Sequence, residues 1–360
     1  MSKTILLSTI HSQNNNFGSV WQAYALSAYL ESEGYDVTTL DYRPLYSNGL
    51  TSLKRVPSLL AGRILYGREA VRRERKFQAF ISSRKLTMRY KNPSAIVEAA
   101  PKADVYLIGS DQVWNPDYLC GNDPVYYLDF IEEGVKIAYS ASAGKILSED
   151  EVESLLGRIA DFKCVSLRED KTALQLQNAG RSDAVHTLDP VFLLSERDYL
   201  MAAEGSECEV PSGCILVYAI NKDPVFAKTV AALKAQTGKQ VVQIGGLASK
   251  CDSDFFPRDA GPLDFVKLFA KCDLVVTSSF HGVAFSHIMK KNFVTVLPKA
   301  NHLRIESLLR DAGTTERLAS TEQDALQLAC QDIDYVTVGD RLGSLIGQSK
   351  EYLATALGGA

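Results

Sequence analysis

The sequence predicts an α/β protein built from two Rossmann-like parallel-sheet domains facing across a cleft. Three observations carry this. The chain has 360 residues, too many for one ordinary core. Short apolar runs alternate with helix-period segments, the pattern of parallel strands joined by helical crossovers. The alternation lapses once, in the polar stretch 195–213 with Glu204-Gly-Ser-Glu-Cys-Glu209 and Pro211, and then resumes. Domains are therefore expected at 1–195 and 213–320, with helices over 321–360 crossing back onto the first.

In order, residues 4–9 read as the first strand, too short an apolar segment for a signal peptide. A polar loop, 11–19, leads to a helix over 20–33 that carries Trp21, Tyr24, Ala25, Ala28 and Tyr29 on one face. Gly34 suits the position just past that helix, where a left-handed backbone is needed. A strand over 35–40 ends at Asp41-Tyr-Arg-Pro44, and a basic helical insertion fills about 45–100. Strands follow at 105–108, 135–139, 164–167 and 184–188. Ser148 and Glu151 have capping-box spacing ahead of Val152, Leu155, Leu156 and Ile159, and Gly180 closes another helix.

The second series opens with a strand over 214–220, and Asp223-Pro224 starts a helix with proline in its first turn. Strands at 240–244, 273–277 and 293–297 alternate with helices at 262–270 and 301–309, the last with Ile305, Leu308 and Leu309 inward. In such folds ligands bind beyond the carboxyl ends of the strands. The loops that matter are thus 11–19, 109–116, 140–145, 168–170, 245–252, 278–282 and 298–304. Two such domains form the layout called GT-B.

Composition removes several classes. Hydrophobic residues make up 46% and charged residues 23%, as in a water-soluble globular chain. No apolar run approaches the ~20 residues of a membrane helix. Seven cysteines without a C-x-x-C pair argue against a disulfide framework or structural zinc and fit a reducing cytoplasm. There is no G-x-G, no phosphate loop and no G-x-S-x-G. Asp252-Ser-Asp254 and Asp332-Ile-Asp334 match a metal–nucleotide pattern that arises easily by chance, and His281 and His287 are badly spaced for a metal pair. No metal is expected.

Charge is uneven. Residues 50–91 hold twelve basic side chains against Glu69 and Glu74, about +10, leaving about −14 for the rest of a chain whose total is −4. Apolar residues Val56, Leu59, Leu60, Ile64, Leu65 and Tyr66 lie in the same segment. One reading is a solvated helical face. The other is a surface for anionic lipid headgroups or a diphosphate-bearing acceptor. Nucleic acid is not expected, because the chain as a whole is acidic.

The stretch 273–287 concentrates the chemistry. An apolar run, Leu274-Val-Val276, gives way to Thr277, Ser278, Ser279, Phe280, His281 and Gly282, then to a helix. That order places hydroxyls, an imidazole and unpaired helix-end N–H groups at one rim, a setting suited to anions. The plainer alternative is a buried turn in which His281 satisfies a carbonyl.

Six ordered segments carry a resemblance: Asn16-Phe-Gly-Ser-Val-Trp-Gln-Ala-Tyr-Ala-Leu26, Gly109-Ser-Asp-Gln-Val-Trp-Asn115, Ser142-Ala-Gly144, Ser166-Leu-Arg-Glu-Asp170, Leu188-Asp-Pro-Val191 and Ser279-Phe-His-Gly282. Together they resemble the polysaccharide pyruvyl transferase family over roughly residues 5–310. The resemblance implies a GT-B-like enzyme that needs no cofactor. It would move the enolpyruvyl unit of phosphoenolpyruvate onto a sugar of a bacterial surface glycan, free or lipid-linked, to form a pyruvate ketal. It would work in the cytoplasm or at the inner membrane face.

Ketal formation needs a proton for the enol carbon and a base for the attacking hydroxyl. The resemblance and this chemistry make His281 the general acid/base and Asp111 the group that orients or deprotonates the acceptor, with capping of the next turn as Asp111's alternative role. Arg168 would grip the donor in bidentate fashion, or else pair with Glu169 or Asp170. Ser278, Ser279 and Gly282 join it on the donor side. Asn16, Gly18, Gln112, Trp114 and Asn115 fall to the acceptor, Trp114 by stacking on a sugar face unless it belongs to the core. One departure stands out. Many members carry Arg-Leu-His where this chain has Ser279-Phe-His281. Lys299 and Arg304 are the candidates for the missing cation. A nucleotide-sugar glycosyltransferase shares the architecture, and a non-catalytic glycan- or lipid-binding protein would also use the basic segment.

Overall fold

The computed structural model describes residues 2–12, 15–44, 46, 56–219, 224–245, 251–297 and 302–358, apart from the side chains of 56–66 and 224–225. The chain packs as two units. Unit 1 takes Met1–Gly67, Phe77–Leu193 and Leu345–Ala360, and unit 2 takes Arg68–Lys76 and Leu194–Ser344.

In chain order, the elements are β1 (Thr4–Ser8), α1 (Phe17–Ser32), β2 (Asp36–Thr39), α2 (Val56–Ile81), α3 (Pro93–Ala99), β3 (Val105–Ile108), β4 (Val135–Ala141), α4 (Glu149–Arg158), β5 (Cys164–Leu167), α5 (Asp170–Asn178), β6 (Val185–His186) and α6 (Glu196–Ala202). There follow β7 (Ile215–Ala219), α7 (Pro224–Thr237), β8 (Val241–Gly245), α8 (Pro262–Lys271), β9 (Leu274–Thr277), α9 (Phe280–Ile288), β10 (Asn292–Thr295), α10 (Leu303–Ala312), α11 (Glu322–Ala329) and α12 (Tyr335–Gly358).

Unit 1 holds a six-stranded sheet in the order β2-β1-β3-β4-β5-β6 and unit 2 a four-stranded sheet in the order β10-β9-β7-β8. Their strand pairs are all parallel. Central strands such as β3 and β9 are buried at every residue, which is why they read as unbroken apolar runs. In both sheets the strand order reverses beside the first strand, between β1 and β3 in unit 1 and between β7 and β9 in unit 2. A crevice opens at such a reversal, because consecutive connections leave on opposite sides of the sheet.

Local signals set the helix ends. Asn16 caps α1 by accepting from the N–H groups of Gly18 at 2.9 Å and Ser19 at 3.4 Å, so α1 starts three residues earlier than the apolar spacing suggests. Ser148 and Glu151 form the expected reciprocal cap of α4. The insertion over 45–100 becomes α2 and α3 where it is described. Among the described residues, no helix is long and apolar enough to cross a membrane.

Helix α2 divides between the units, and several cations of the basic segment are paired. In unit 2, Arg72 pairs with Asp259 and Lys76 with Asp264, each at 2.7 Å. In unit 1, Arg84 pairs with Glu31, Lys85 with Asp36 at 2.6 Å and Arg89 with Asp41 at 3.0 Å. These pairs join part of the segment's positive charge to acidic side chains elsewhere in the chain. The apolar side chains proposed for lipid contact, Val56 to Tyr66, lie outside the described side chains. Helix α12 also divides, and its unit 1 part is anchored by Ser349 Oγ, which accepts from Leu188 N at 3.0 Å, and by the Tyr352 hydroxyl, which donates to Ala138 O at 2.7 Å.

Candidate active site

The crevice of unit 1 lies between the loops after β1 and β3. Thr9 Oγ1 donates to Ser110 O at 2.7 Å across it, and the buried Gln22 amide donates to Ile10 O and Ser19 O. Asp111 stands at the centre with a left-handed backbone, φ +79°, and 8% exposure. A non-glycine residue there stores strain of about 1–3 kcal/mol, tolerated only where the surroundings enforce it. They do so here. Asp111 O accepts from Val113 N and Ser142 N, Oδ1 from Gln112 N at 2.8 Å, and Oδ2 from the Ser19 hydroxyl at 2.6 Å.

Gln112 and Asn115 join the same turn, where Asn115 Nδ2 donates to Gln112 Oε1 at 2.8 Å. Gly144, at φ +72°, closes over them, and a Cβ there would fall 2.3 Å from Gln112 Oε1 and 2.6 Å from Asn115 Nδ2. Trp114 is a correction: its ring is buried, stacked on Tyr127 at 6.0 Å with its N–H on Tyr126 O, so no face is open to a sugar. Gly18 sits inside the first turn of α1 rather than in the loop, and Asn16 is the exposed cap just before it.

Arg168 also departs from expectation. It is 3% exposed and pairs with Asp189 at 2.8 Å, while its Nη2 and Nε donate to Ser110 Oγ at 2.6 and 3.1 Å. Asp189 belongs to another loop than Glu169 and Asp170, the partners that the sequence offers. Glu169 is buried too, accepting from the Ser142 hydroxyl and Ala143 N. A guanidinium paired with a buried carboxylate braces the rim formed by 110, 140 and 189.

In unit 2 the crevice lies between β7 and β9. Thr277 Oγ1 donates to Tyr218 O at 2.7 Å and accepts from Ser279 N at 3.0 Å, and Ser278 N reaches Tyr218 O at 3.3 Å. Helix α9 begins immediately afterwards, with Ser279 as its cap residue but no side-chain capping bond from it. His281, in the first turn, is 6% exposed and meets Phe280 edge-on at 5.1 Å. Gly282 allows the helix to approach β9, since a Cβ there would lie 2.0 Å from Thr277 Oγ1. The Arg304 guanidinium lies 5.8 Å from the Phe280 ring centroid, at the same helix end. Lys299 lies outside the described residues.

Across known families, the sequence model of the polysaccharide pyruvyl transferases matches residues 16–299. The chain belongs to this family. Among curated proteins nothing matches it. Solved structures resemble it in fold only. UDP-N-acetylglucosamine 2-epimerase from Rickettsia bellii aligns with TM-score 0.56 at 9% identity, covering 99% of this chain and 96% of that one. The Methanocaldococcus jannaschii UDP-GlcNAc 2-epimerase, solved with UDP-GlcNAc and UDP, gives 0.56 at 12% identity over 91% of each chain. The Neisseria meningitidis enzyme gives 0.54 at 10% identity over the whole of both. Two parallel-sheet domains of the GT-B class are therefore the architecture of this pyruvyl transferase family member.

Sequence reasoning missed one cluster in this transferase. His11, just after β1, lies 3.1 Å from Asp41, just after β2, and 3.3 Å from Thr9 O. Arg43 and Arg89 also bond Asp41, at 2.5 and 3.0 Å. Burial pushes the Asp41 carboxyl up, but the bonds from His11, Arg43 and Arg89 outweigh it and hold Asp41 well below the usual carboxylate range. Both His11 nitrogens face protein oxygens, so the cluster holds the loop after β1 in place. The signal was available in principle, because adjacent parallel strands that end together bring their next residues together.

Three of the four D-x-D carboxylates have structural partners. Asp252 and Asp254 pair with Lys234 at 3.4 and 2.8 Å, and Asp254 also accepts from Val241 N at the amino end of β8, away from the ligand side. Asp334 caps α12 through Val336 N and Thr337 N. Among the described residues no cluster of His, Cys, Asp and Glu fits a metal ion.

Proposed function

We propose that this chain transfers the enolpyruvyl unit of phosphoenolpyruvate to two hydroxyls of a sugar, releasing phosphate and leaving a pyruvate ketal. The observation that carries the reading, alongside family membership, is His281 in the first turn of α9 at the carboxyl end of β9. A titratable imidazole beside helix-end N–H groups is what a phosphorylated enol acid requires. His281 would protonate the enol carbon, making the adjacent carbon electrophilic. One sugar hydroxyl attacks there and phosphate departs with its bridging oxygen. A second hydroxyl then attacks to close the ketal. Of the two hydroxyl protons, one replaces that given to carbon and the other leaves with phosphate. Asp111 would orient the acceptor hydroxyl on unit 1 or accept its proton, with Gln112, Asn115 and Asn16 nearby.

The acceptor class is a free or lipid-linked glycan, and the setting is surface polysaccharide synthesis in the cytoplasm. Attraction to an anionic membrane would rest on the basic residues of 50–91 outside the ion pairs described above. Sedimentation with anionic and neutral vesicles at low and high salt tests it, and equal binding to both lipids would remove the idea.

The decisive experiment is ligand-dependent melting combined with phosphate release. Phosphoenolpyruvate should raise the melting temperature by mass action and yield phosphate when a sugar acceptor is added, with UDP-sugars inert. A shift with UDP-sugar alone would favour nucleotide-sugar transfer, the reading that the fold-level likeness to UDP-GlcNAc 2-epimerases leaves open. His281→Ala should lower turnover by about 10²- to 10⁴-fold with the fold intact. Undiminished function in that variant would favour a non-catalytic glycan-binding role.

A further inference from the structure

We propose that Arg73 of α2 supplies the cation that holds the donor's anionic groups at the rim of unit 2; this rests on the pyruvyl-transfer reading. No Lys or Arg stands in the Ser278-Ser-Phe280 stretch ahead of His281, so the charge must come from another element. Phosphoenolpyruvate carries a phosphate and a carboxylate, and at the α9 end Ser278 and Ser279 offer only neutral donors.

Helix α2 is fixed against unit 2 on both sides of Arg73. Arg72 pairs with Asp259 and Lys76 with Asp264. The fit is close: a Cβ on Gly261 would fall 2.5 Å from Lys76 Cβ. This anchoring carries Arg73 to the carboxyl end of the sheet, where Nη1 makes a long 3.5 Å contact with Gly245 O at the last residue of β8. Gly245 lies in register with Ala219, the residue after Tyr218, and Tyr218 O binds Thr277 Oγ1 and Ser278 N. Arg73, Gly245, Tyr218 and Ser278 thus form one continuous row across the ends of β8, β7 and β9. The row crosses the point where the strand order reverses, the place where such sheets bind ligands. Burial lowers the Arg73 pKa, offset in part by the Tyr218 phenol and Glu74, yet a guanidinium remains charged at neutral pH. A desolvated guanidinium of this kind binds phosphate or carboxylate strongly and with geometric selectivity. With Arg304 at the α9 end, the rim offers two cations for two anionic groups.

The test compares wild type, Arg73→Gln, Arg73→Lys and Arg75→Gln by phosphoenolpyruvate-dependent melting and by steady-state phosphate release. Arg73→Gln should raise KM for phosphoenolpyruvate by roughly 10- to 150-fold, the size of one charge-assisted contact, with kcat at saturation within a few-fold of wild type. Its ligand-induced melting shift should disappear. Arg73→Lys should recover part of both, and Arg75→Gln, an exposed neighbour, should match wild type. If Arg73→Gln folds poorly, Arg73→Met, which also removes the charge, is read below its own melting temperature: a KM equal to wild type with lower stability would mean a structural role and overturn the proposal. So would wild-type KM and melting shift in Arg73→Gln. Absence of any phosphoenolpyruvate response in wild type would instead remove the pyruvyl-transfer reading itself, and this inference with it.

Discussion

Ser19 on α1 donates its hydroxyl to Asp111 Oδ2 at 2.6 Å, tying the helix after β1 to the strained turn after β3. The bond both aims the carboxylate and helps enforce its left-handed backbone. Asn tolerates that conformation well, so Asp111→Asn isolates the charge from the shape. It should lower turnover by about 10²-fold or more and cost only about 1 kcal/mol of stability. Turnover within a few-fold of wild type would leave Asp111 as a turn cap.

The Arg168–Asp189 pair makes a different claim. Removing one member strands a buried charge, which costs about 3–5 kcal/mol, whereas replacing both with apolar side chains can be neutral. Arg168→Met should therefore lower the urea midpoint sharply, and Arg168→Met with Asp189→Leu should recover much of the loss. An Arg168→Met variant of normal stability with a raised donor KM would restore Arg168 to the donor site.

These outcomes trace what was legible beforehand. The two parallel-sheet series, the Ser148–Glu151 cap and the rim residues 277–282 follow from local order, because strand runs, caps and strand-to-helix turns are encoded by neighbours. For Arg168 and Trp114 the sequence indicates the loop but leaves open whether the side chain faces a ligand or the protein. Their partners, Asp189, Ser110, Tyr126 and Tyr127, belong to other segments, and spacing alone does not say which way a side chain turns. The same holds for Arg72 with Asp259 and Lys76 with Asp264, pairs separated by more than half the chain. His11 with Asp41 lay closest to view, at the ends of adjacent strands.

Gly282 offers a purely steric test. An alanine Cβ there would lie 2.0 Å from Thr277 Oγ1 and 2.8 Å from Thr277 Cβ, so β9 and α9 would have to separate. Overpacking of this kind costs about 1–3 kcal/mol, and the shift would also displace His281, one residue away. Gly282→Ala should melt earlier and lose turnover together. Adding Thr277→Ala, which removes the nearest atom, should restore part of the stability. An unchanged melting temperature for Gly282→Ala would mean that the two elements are less closely fitted.

His287 sets a pH dependence. It lies deep in unit 2, edge-on to Phe293 at 5.0 Å, with Nε2 3.3 Å from the Thr314 hydroxyl. Burial, with Arg317 adding to it, lowers its pKa from 6.5 to about 3. Between those values the unfolded chain binds a proton that the folded chain refuses. Stability is therefore complete above pH 6.5 and declines as pH falls toward 3, by about 1.4 kcal/mol per pH unit. Urea midpoints at pH 7 and pH 5 should differ by the equivalent of about 2 kcal/mol, and His287→Gln should flatten that difference. Equal slopes in the two proteins would show that other groups set the acid response.

Helices α2 and α12 each contribute residues to both units, so the chain passes between them more often than a simple two-bead arrangement would. Residues 68–76 reach unit 2 from the amino-terminal half, and 345–360 return to unit 1 from the carboxyl-terminal half. A protease that cuts in the exposed stretch around 204–212 would give two polypeptides that are not two domains. Each piece retains a helical segment that packs in the other's unit, so the nicked protein should run as two bands under denaturing conditions and elute as one species in native buffer. The halves of this fold are laced together, and neither would be recovered whole by expressing it from one continuous stretch of sequence.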